Sequence, residues 1–335
     1  MVLVVGDITV DISAPLPKPP LAGDDCLSSR LSLHCGGVGL NAAFALTRLG
    51  VPVRLISCVG QDAFGDFVLG RITAAGIDTR YVQPTESAMT GLFTIAISPD
   101  GQRTFIGGRG ANEELRVTPE LARSMEGIDF VQIAGYVFLA KSSSEFADAV
   151  IAQARGRSVP VLLDLGLAPC RERREKLTGV FPLVDIVVAN IAEADALTGV
   201  AEPRAAFAAL QRVGAREVML KTGGEGCLIR HNDQLLQVPG FEVAVVDTTG
   251  AGDAFNAGLI AGLRWGWPSE WCALFANACG AAAATIVGAG EELPGIAAIE
   301  KIMCAASFGH EWDAARVEIV RELKNRSDVG ASRGA

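Results

Sequence analysis

Along this chain the apolar residues gather in short unbroken runs, separated by stretches of helical spacing. Residues 2–6 read as a buried strand, which GDITVDI continues to Asp11. The runs DFVQIA (129–134), VPVLLD (159–164), DIVVA (185–189) and REVML (216–220) recur with helical patterns between them, at the spacing of repeated βα units. PVRLISCVG adds a strand, and TGGEG, GCLIR and NDQLLQVPG mark short strands bounded by turns. Helices are predicted from GGVGLNAAFALTRLG, which opens on glycines and closes at Gly50, and over 63–75, ended by Gly76. Three more are predicted over about 251–265, 269–287 and 296–306, with WGWPS separating the first two. The pattern is that of one α/β domain with a mostly parallel sheet.

Two segments break this rhythm. After Asp11, PLPKPP and a GDD turn lead to SSRLSL, which alternates; a Pro-rich excursion returning as an alternating strand suits an exposed flap. TGLFTIAISPDGQRTFIGGRG (90–110) alternates around a PDG turn and predicts a β-hairpin. Residues 12–33 and 89–112 are therefore expected to form a small β lid on a body made of 1–11, 34–88 and 113–310. Beyond His310 the apolar density falls, so the C-terminal extension 311–335 is expected to be partly disordered, above all SDVGASRGA.

Composition narrows the class. A chain of 335 residues, 50% of them hydrophobic, can bury a large core, and a net charge of −9 offers no basic field to draw in a polyanion. Neither nucleic acid nor an anionic membrane surface is an expected partner. The eight cysteines are scattered without a CxxC pair and read as reduced thiols, while His34, His231 and His310 lack metal-ligand spacing. MVLVVGD carries no basic n-region, and the small apolar stretch around 276–290 is short of a membrane span, so a soluble cytoplasmic protein is expected.

The chemistry concentrates in DTTGAGDAFNAG (247–258), between the apolar run FEVAVV and the helical AFNAGLIAGL. Read as a strand-to-helix turn, it offers the backbone N–H groups of Gly250, Ala251, Gly252 and Asp253 at a helix start, which is an anion hole. Asp253 adds a carboxylate able to orient a hydroxyl and take its proton. A GxGD string alone is more often an ordinary capped turn. The longer string TTGAGDAFNAG, however, resembles the signature of the ribokinase-like, or PfkB, family of carbohydrate kinases.

That resemblance implies a three-layer α/β sandwich with a β lid, covering about residues 2–310, and an ATP- and Mg²⁺-dependent phosphotransfer to a sugar hydroxyl. Asp253 becomes the base. In GGVGLNAA (36–43) the GxGxxA string invites a dinucleotide-binding reading, but SSRLSLHC before it alternates rather than forming a buried first strand. The resemblance instead sets Gly36, Gly37 and Asn41 against the sugar, with Asp11 binding its hydroxyls. NIAEADALTG resembles the family's NxxE element and assigns Asn190 and Glu193 to the magnesium and phosphate region; Asn followed by Glu three residues on is also a plain capping arrangement. LKTGGEGCLI resembles the nucleotide-binding turn, with Lys221, Thr222, Gly223 and Gly226 near phosphates and ribose, and Asn277 near the adenine. No GxxxxGK[ST] loop is present.

By the resemblance, Asp247, Thr249, Thr285 and Gly288 match loops that in many relatives bind a monovalent cation such as K⁺, largely through backbone oxygens, although GAGEELP (288–294) places acids where many relatives carry small or hydroxyl residues. Val38 stands where ribokinases carry lysine. Arg103 and Arg109 in the lid are able to grip a carboxylate or phosphate. A neutral sugar is the favoured acceptor, followed by a sugar acid such as 2-keto-3-deoxygluconate, then a phosphosugar or nucleoside. A non-catalytic sugar-binding protein on the same fold would have lost the base or the glycines, and both are present. A homodimer through the lid is expected, because β lids expose edges.

Overall fold

The structure, a computed structural model, describes residues 1–19, 21, 23, 25–99 and 102–333. Its strands are β1 (Val2–Val5), β2 (Thr9–Pro15), β3 (Ser32–Gly36), β4 (Val53–Ile56), β5 (Cys58–Gly60), β6 (Gln83–Thr85) and β7 (Gly91–Ile97). They continue as β8 (Arg103–Gly108), β9 (Phe130–Ala134), β10 (Val161–Asp164), β11 (Ile186–Asn190), β12 (Glu217–Lys221), β13 (Cys227–His231) and β14 (Gln234–Val238). Eight of them form the central sheet in the order β14-β13-β12-β11-β10-β9-β1-β4. The six from β12 to β4 run parallel, and β13 and β14 close one edge as an antiparallel hairpin.

Alternate residues of each parallel strand enter two separate cores, which is why the runs read as apolar without a break. Val2, Val4, Leu162 and Val188 pack on one face against Leu40, Ile260 and Leu274. Leu3, Val5, Val131, Leu163 and Val187 face the other way, against Phe146 and Leu210. Each fully buried aliphatic side chain contributes about 1.5–3 kcal/mol. The layers are therefore helix, sheet, helix, and the carboxyl ends of the parallel strands lie along one edge, where ligands bind in open α/β sheets.

A second sheet, β3-β2-β7-β8, stands apart from the first. Its β7–β8 hairpin pairs Ile97 with Arg103, as the alternation predicts; Asp100 and Gly101 of the PDG turn lie outside the described residues. The chain leaves the central sheet earlier than the sequence suggests. β1 ends at Val5, the carbonyl of Asp7 accepts from the N–H of Leu40 at 3.1 Å, and β2 already belongs to the second sheet. Asp11 thus lies within β2 rather than at the end of the first strand.

Three other expectations are corrected. FEVAVV forms no strand: Val245 and Val246 are exposed, and the segment is a loop held by the Val246 N–H to the Ala284 carbonyl. PVRLISCVG divides into β4 and β5, and β5 leaves the central sheet to pair with β6. The segment His310–Arg333 is a helix, anchored on the core by Ile319, Val320 and Leu323, where a partly disordered extension was expected; residues 334–335 lie outside the described residues. Its buried apolar residues, Ile319, Val320 and Leu323, are few but fall on one face.

Among the described residues no helix is long and apolar enough to cross a membrane. All eight cysteines are free, and Cys35, Cys58, Cys170, Cys227, Cys272 and Cys279 are buried.

Candidate active site

The parallel register brings three polar strand ends together. Asn190 stands opposite Lys221, and Asp164 opposite Val188, so Asp164 and Lys221 reach the same edge from either side of β11. Lys221 Nζ lies 3.3 Å from Asp164 Oδ1. Above them starts the helix Ala251–Arg264, capped by Gly250 with φ +75°, a left-handed conformation that favours glycine. A side chain at Gly252 would begin 3.2 Å from Lys221 Nζ, which puts the ammonium directly beneath the first turn.

Asp253 is buried in that turn, with the Asn41 side chain close enough to favour its charged form. Burial, together with the nearby Asp164 carboxylate, pushes the Asp253 carboxyl up to about 8, against the opposing pull of Asn41 and Lys221. Burial works against the Lys221 charge, but Asp164, Glu193 and Asp253 outweigh it and raise its pKa. The arrangement is a single fixed cation among three acids, beside helix N–H groups. It suits the binding of phosphate and the removal of a proton from a hydroxyl.

Asn190 and Glu193 form the reciprocal cap that their spacing predicts: the Glu193 N–H donates to Asn190 Oδ1 at 2.9 Å, and the Asn190 N–H to Glu193 Oε2 at 2.8 Å. Glu193 is also drawn into the cluster. Burial first, then the Asp164 charge, lift it to about 7 despite Lys221. Among the described residues no group of three or more His, Cys, Asp or Glu side chains is arranged to hold a metal ion. Mg²⁺, however, takes one or two carboxylates and completes its shell with phosphate oxygens and water. The pair Glu193 and Asp164, both carboxylates and served by one ammonium, fits that requirement.

A cavity of about 600 Å³ opens next to this cluster. Asn190, Lys221, Gly223, Gly226, Gly252 and Asn277 line it, together with Phe241, Val243 and Val245 of the loop that the sequence presents as a strand. Thr222 stands at its margin, its N–H donating to the Gly226 carbonyl at 2.8 Å and its Oγ1 accepting from Gln237. Asn277 spends its amide N–H groups on the carbonyls of Val238 and Pro239, and so fastens the β14 end to the helix Ser269–Ala283. Gly226 has φ +96°, and a Cβ there would lie 2.1 Å from the Val238 carbonyl oxygen. Gly226→Ala is expected to cost about 2 kcal/mol and to weaken ATP binding. Thermal melting and ATP titration check this, and a variant matching the parent in both would refute the close approach.

On the opposite side of Asp253, Gly36 leaves room for the Asp11 carboxylate, whose oxygens lie 2.3 and 2.6 Å from where a Cβ would stand. Thr9 Oγ1 donates to Asp11 at 2.9 Å, and burial raises the Asp11 pKa. Gly37, at φ +96°, presses against the Asp7 carbonyl and starts the helix that carries Asn41. Asp11, Gly36, Gly37 and Asn41 are therefore neighbours. The two lid arginines differ from expectation. Arg109 makes a buried two-pronged pair with Asp7, Nε to Oδ2 at 2.7 Å and Nη2 to Oδ1 at 2.8 Å, so it is a fastening between β8 and the end of β1. Arg103 pairs with Asp247 and donates to Thr249.

Asp247, Thr249 and Gly288 adjoin, through the Thr249 N–H to Asp247 Oδ1 at 2.9 Å and the Gly288 N–H to Oδ2 at 2.7 Å. Thr285, in the turn after the helix Ser269–Ala283, donates its hydroxyl to the Ala282 carbonyl. Asp164 escaped the sequence reading: one acid ending an apolar run looks like a solvated strand end. Tyr136 escaped it too, although its pKa is raised first by burial and then by the charges of Glu193, Asp7, Asp164 and Asp253.

Comparison with known proteins agrees with this geometry. The chain is 28% identical over 297 residues to a ribokinase of Haemophilus influenzae, covering 87% of this chain and 94% of that protein. It is 30% identical over 295 residues to an ATP-dependent ribose-1-phosphate kinase of Halopiger xanaduensis, covering 86% and 93%. An E. coli protein provisionally designated ribokinase II, solved in complex with ATP and Mg²⁺, superposes with a TM-score of 0.79 at 26% identity, covering 91% of this chain and 99% of that one. The profile of the pfkB family carbohydrate kinases matches residues 1–295. With its ribokinase-like fold and its glycine-led helix start, the chain belongs to the pfkB family of carbohydrate kinases, phosphotransferases with a hydroxyl acceptor.

Proposed function

We propose that this kinase transfers the γ-phosphoryl group of ATP to a hydroxymethyl hydroxyl of a small neutral sugar such as ribose or fructose. One observation carries the reading: the Asp253 carboxyl feels both Asn41, from the helix that starts beside Asp11, and the charge of Lys221, which lines the large cavity. Acceptor and donor sides meet at that carboxylate. Asp253 takes the proton of the attacking hydroxyl, while the N–H groups of 250–253 stabilise charge on the moving phosphoryl oxygens. Lys221, held charged by Asp164, grips the phosphates, and the cavity between Gly223, Gly226 and Asn277 takes the nucleoside. Glu193, Asp164 and Asn190 are the residues that would hold Mg²⁺, which would supply positive charge to the ATP phosphates. The E. coli neighbour, solved with ATP and Mg²⁺, supports both for this chain.

The neutral acceptor is favoured because both lid arginines are committed to acids of the chain itself, Arg109 to Asp7 and Arg103 to Asp247. Asp11 adds negative charge beside Asp253, which repels an anionic sugar. The second sheet acts as a lid, excluding water that would otherwise accept the phosphoryl group. Its exposed Leu33, Phe105 and Ile106 make it the face through which two copies pair, in the cytoplasm where ATP is at hand. An ADP-release screen over ribose, deoxyribose, fructose, 2-keto-3-deoxygluconate, ribose-1-phosphate and nucleosides tests the substrate. A neutral sugar is expected to give the highest kcat/KM. A higher value with the sugar acid, the phosphosugar or a nucleoside would overturn the neutral assignment.

A further inference from the structure

The loop that feeds the anion hole is already supplied with a positive charge. Arg103 opens β8, opposite Ile97 at the end of β7, and its guanidinium reaches out of the second sheet to the body of the protein. Nη2 lies 2.5 Å from Asp247 Oδ2, and Nη1 donates to Thr249 Oγ1. Asp247 is almost completely enclosed, its side chain 2% exposed, and Arg103 is 22% exposed. Burial on its own would raise the Asp247 pKa. The Arg103 contact and the Gly288 and Thr249 amides outweigh it, and the carboxyl is held below its ordinary range.

These contacts engage both carboxylate oxygens of Asp247 and the hydroxyl of Thr249. A hard cation is bound by several oxygens at once. Here Asp247 Oδ1 accepts from the Thr249 N–H, Oδ2 from the Gly288 N–H and from Arg103, and the Thr249 hydroxyl also accepts from Arg103. The Thr285 hydroxyl donates to Ala282. An ion seated against Asp247 would also lie against the positive guanidinium of Arg103, which repels it. The acids of GAGEELP do not compensate, since Glu291 pairs with Arg71 at 2.6 Å. The residues present do not fit a bound K⁺.

We propose that Arg103 is a built-in monovalent cation: its guanidinium takes the place of a free ion at Asp247 and Thr249, making turnover independent of K⁺. The proposal rests on the kinase reading above. Gly250 alone separates Thr249 from Ala251, where the anion-hole helix begins, so the charge strengthens the field at the site of transfer. Because Arg103 belongs to the second sheet and Asp247 to the body, the charge is in position only when the sheet lies down on the body. Closure thus completes the site's electrostatics as well as excluding water.

The test compares the parent, Arg103→Ala and Arg103→Lys in tetramethylammonium chloride and in KCl at equal ionic strength, by ADP release and by thermal melting. The parent is expected to turn over equally fast and to melt at the same temperature in both salts. Arg103→Ala should lose about tenfold to a hundredfold in kcat in tetramethylammonium, and KCl should restore much of that loss and raise the melting temperature of this variant alone. Arg103→Lys, which keeps the charge, should need K⁺ less than Arg103→Ala does. Stimulation of the parent by K⁺, a K⁺-dependent rise in its melting temperature, or full activity of Arg103→Ala without K⁺ would overturn the proposal. So would a loss in Arg103→Ala that K⁺ neither repairs nor marks by stabilisation, because a removed cation surrogate leaves a gap that K⁺ fits. If no protein released ADP with any sugar, the substrate reading would fail, while the melting comparison would still decide whether K⁺ binds.

Discussion

Asp253→Asn is expected to bind ATP as the parent does and to lose at least about a hundredfold in turnover, the usual size of a general-base contribution. The substitution keeps the shape of the side chain and removes the ability to take a proton. The parent's kcat/KM should rise with pH through about 8, since burial and Asp164 hold the Asp253 carboxyl protonated below that point and a base works only when ionised. That limb should be missing from the residual activity of the variant. Stability should move in the opposite sense. The folded state holds the Asp253 proton up to about 8 and the unfolded chain releases it near 3.8, so the contribution is complete below 3.8 and is lost as pH rises through 8. Asp253→Asn should therefore melt above the parent at alkaline pH, with the gap narrowing toward pH 4. A variant with near-parental turnover would remove Asp253 from the base's role, and a gap that widened on acidification would contradict its raised pKa.

This cluster also separates what one dimension of sequence reveals from what it hides. The βα rhythm was readable because each parallel strand is buried on both faces, and a run such as VLLD at β10 has no other comfortable position. The Asn190–Glu193 cap and the start of the Ala251–Arg264 helix were readable because their partners lie within one turn. Asp164 was not, because its partner Lys221 stands two strands away across β11, and only the sheet register brings them together. The lid boundary was misjudged for a related reason: GDITVDI continues an apolar pattern across Gly6–Ile8, where the chain changes from one sheet to the other. FEVAVV misled because its alternation serves a loop, with Phe241 and Val243 walling the cavity beside Lys221 and Val246 left in solvent. The helix His310–Arg333 depends on Ile319, Val320 and Leu323 meeting the core, a contact that a sparse apolar pattern does not announce.

Arg109 illustrates the same limit with the largest expected consequence for stability. Its position in the lid suggested a grip on an anionic substrate, yet its guanidinium is 8% exposed and closed on Asp7 by two short hydrogen bonds. Burial opposes the arginine's charge, and the Asp7 contact more than restores it, so the arginine's pKa is raised. Such a pair adds little over an apolar replacement of both partners, but removing one of them leaves a buried charge without compensation, which costs about 3–5 kcal/mol. Arg109→Met is therefore expected to lower the free energy of unfolding by that amount, as measured by denaturant titration. Asp7→Asn combined with Arg109→Met should recover part of it by removing the stranded carboxylate. The double variant also separates fastening from substrate binding. If Arg109 only fastens β8 to the end of β1, KM for the preferred sugar in the refastened double variant should stay close to the parent's. A KM raised by about a hundredfold or more, the loss of a charge-assisted contact, with stability unchanged, would return Arg109 to the substrate and reopen the case for a sugar acid.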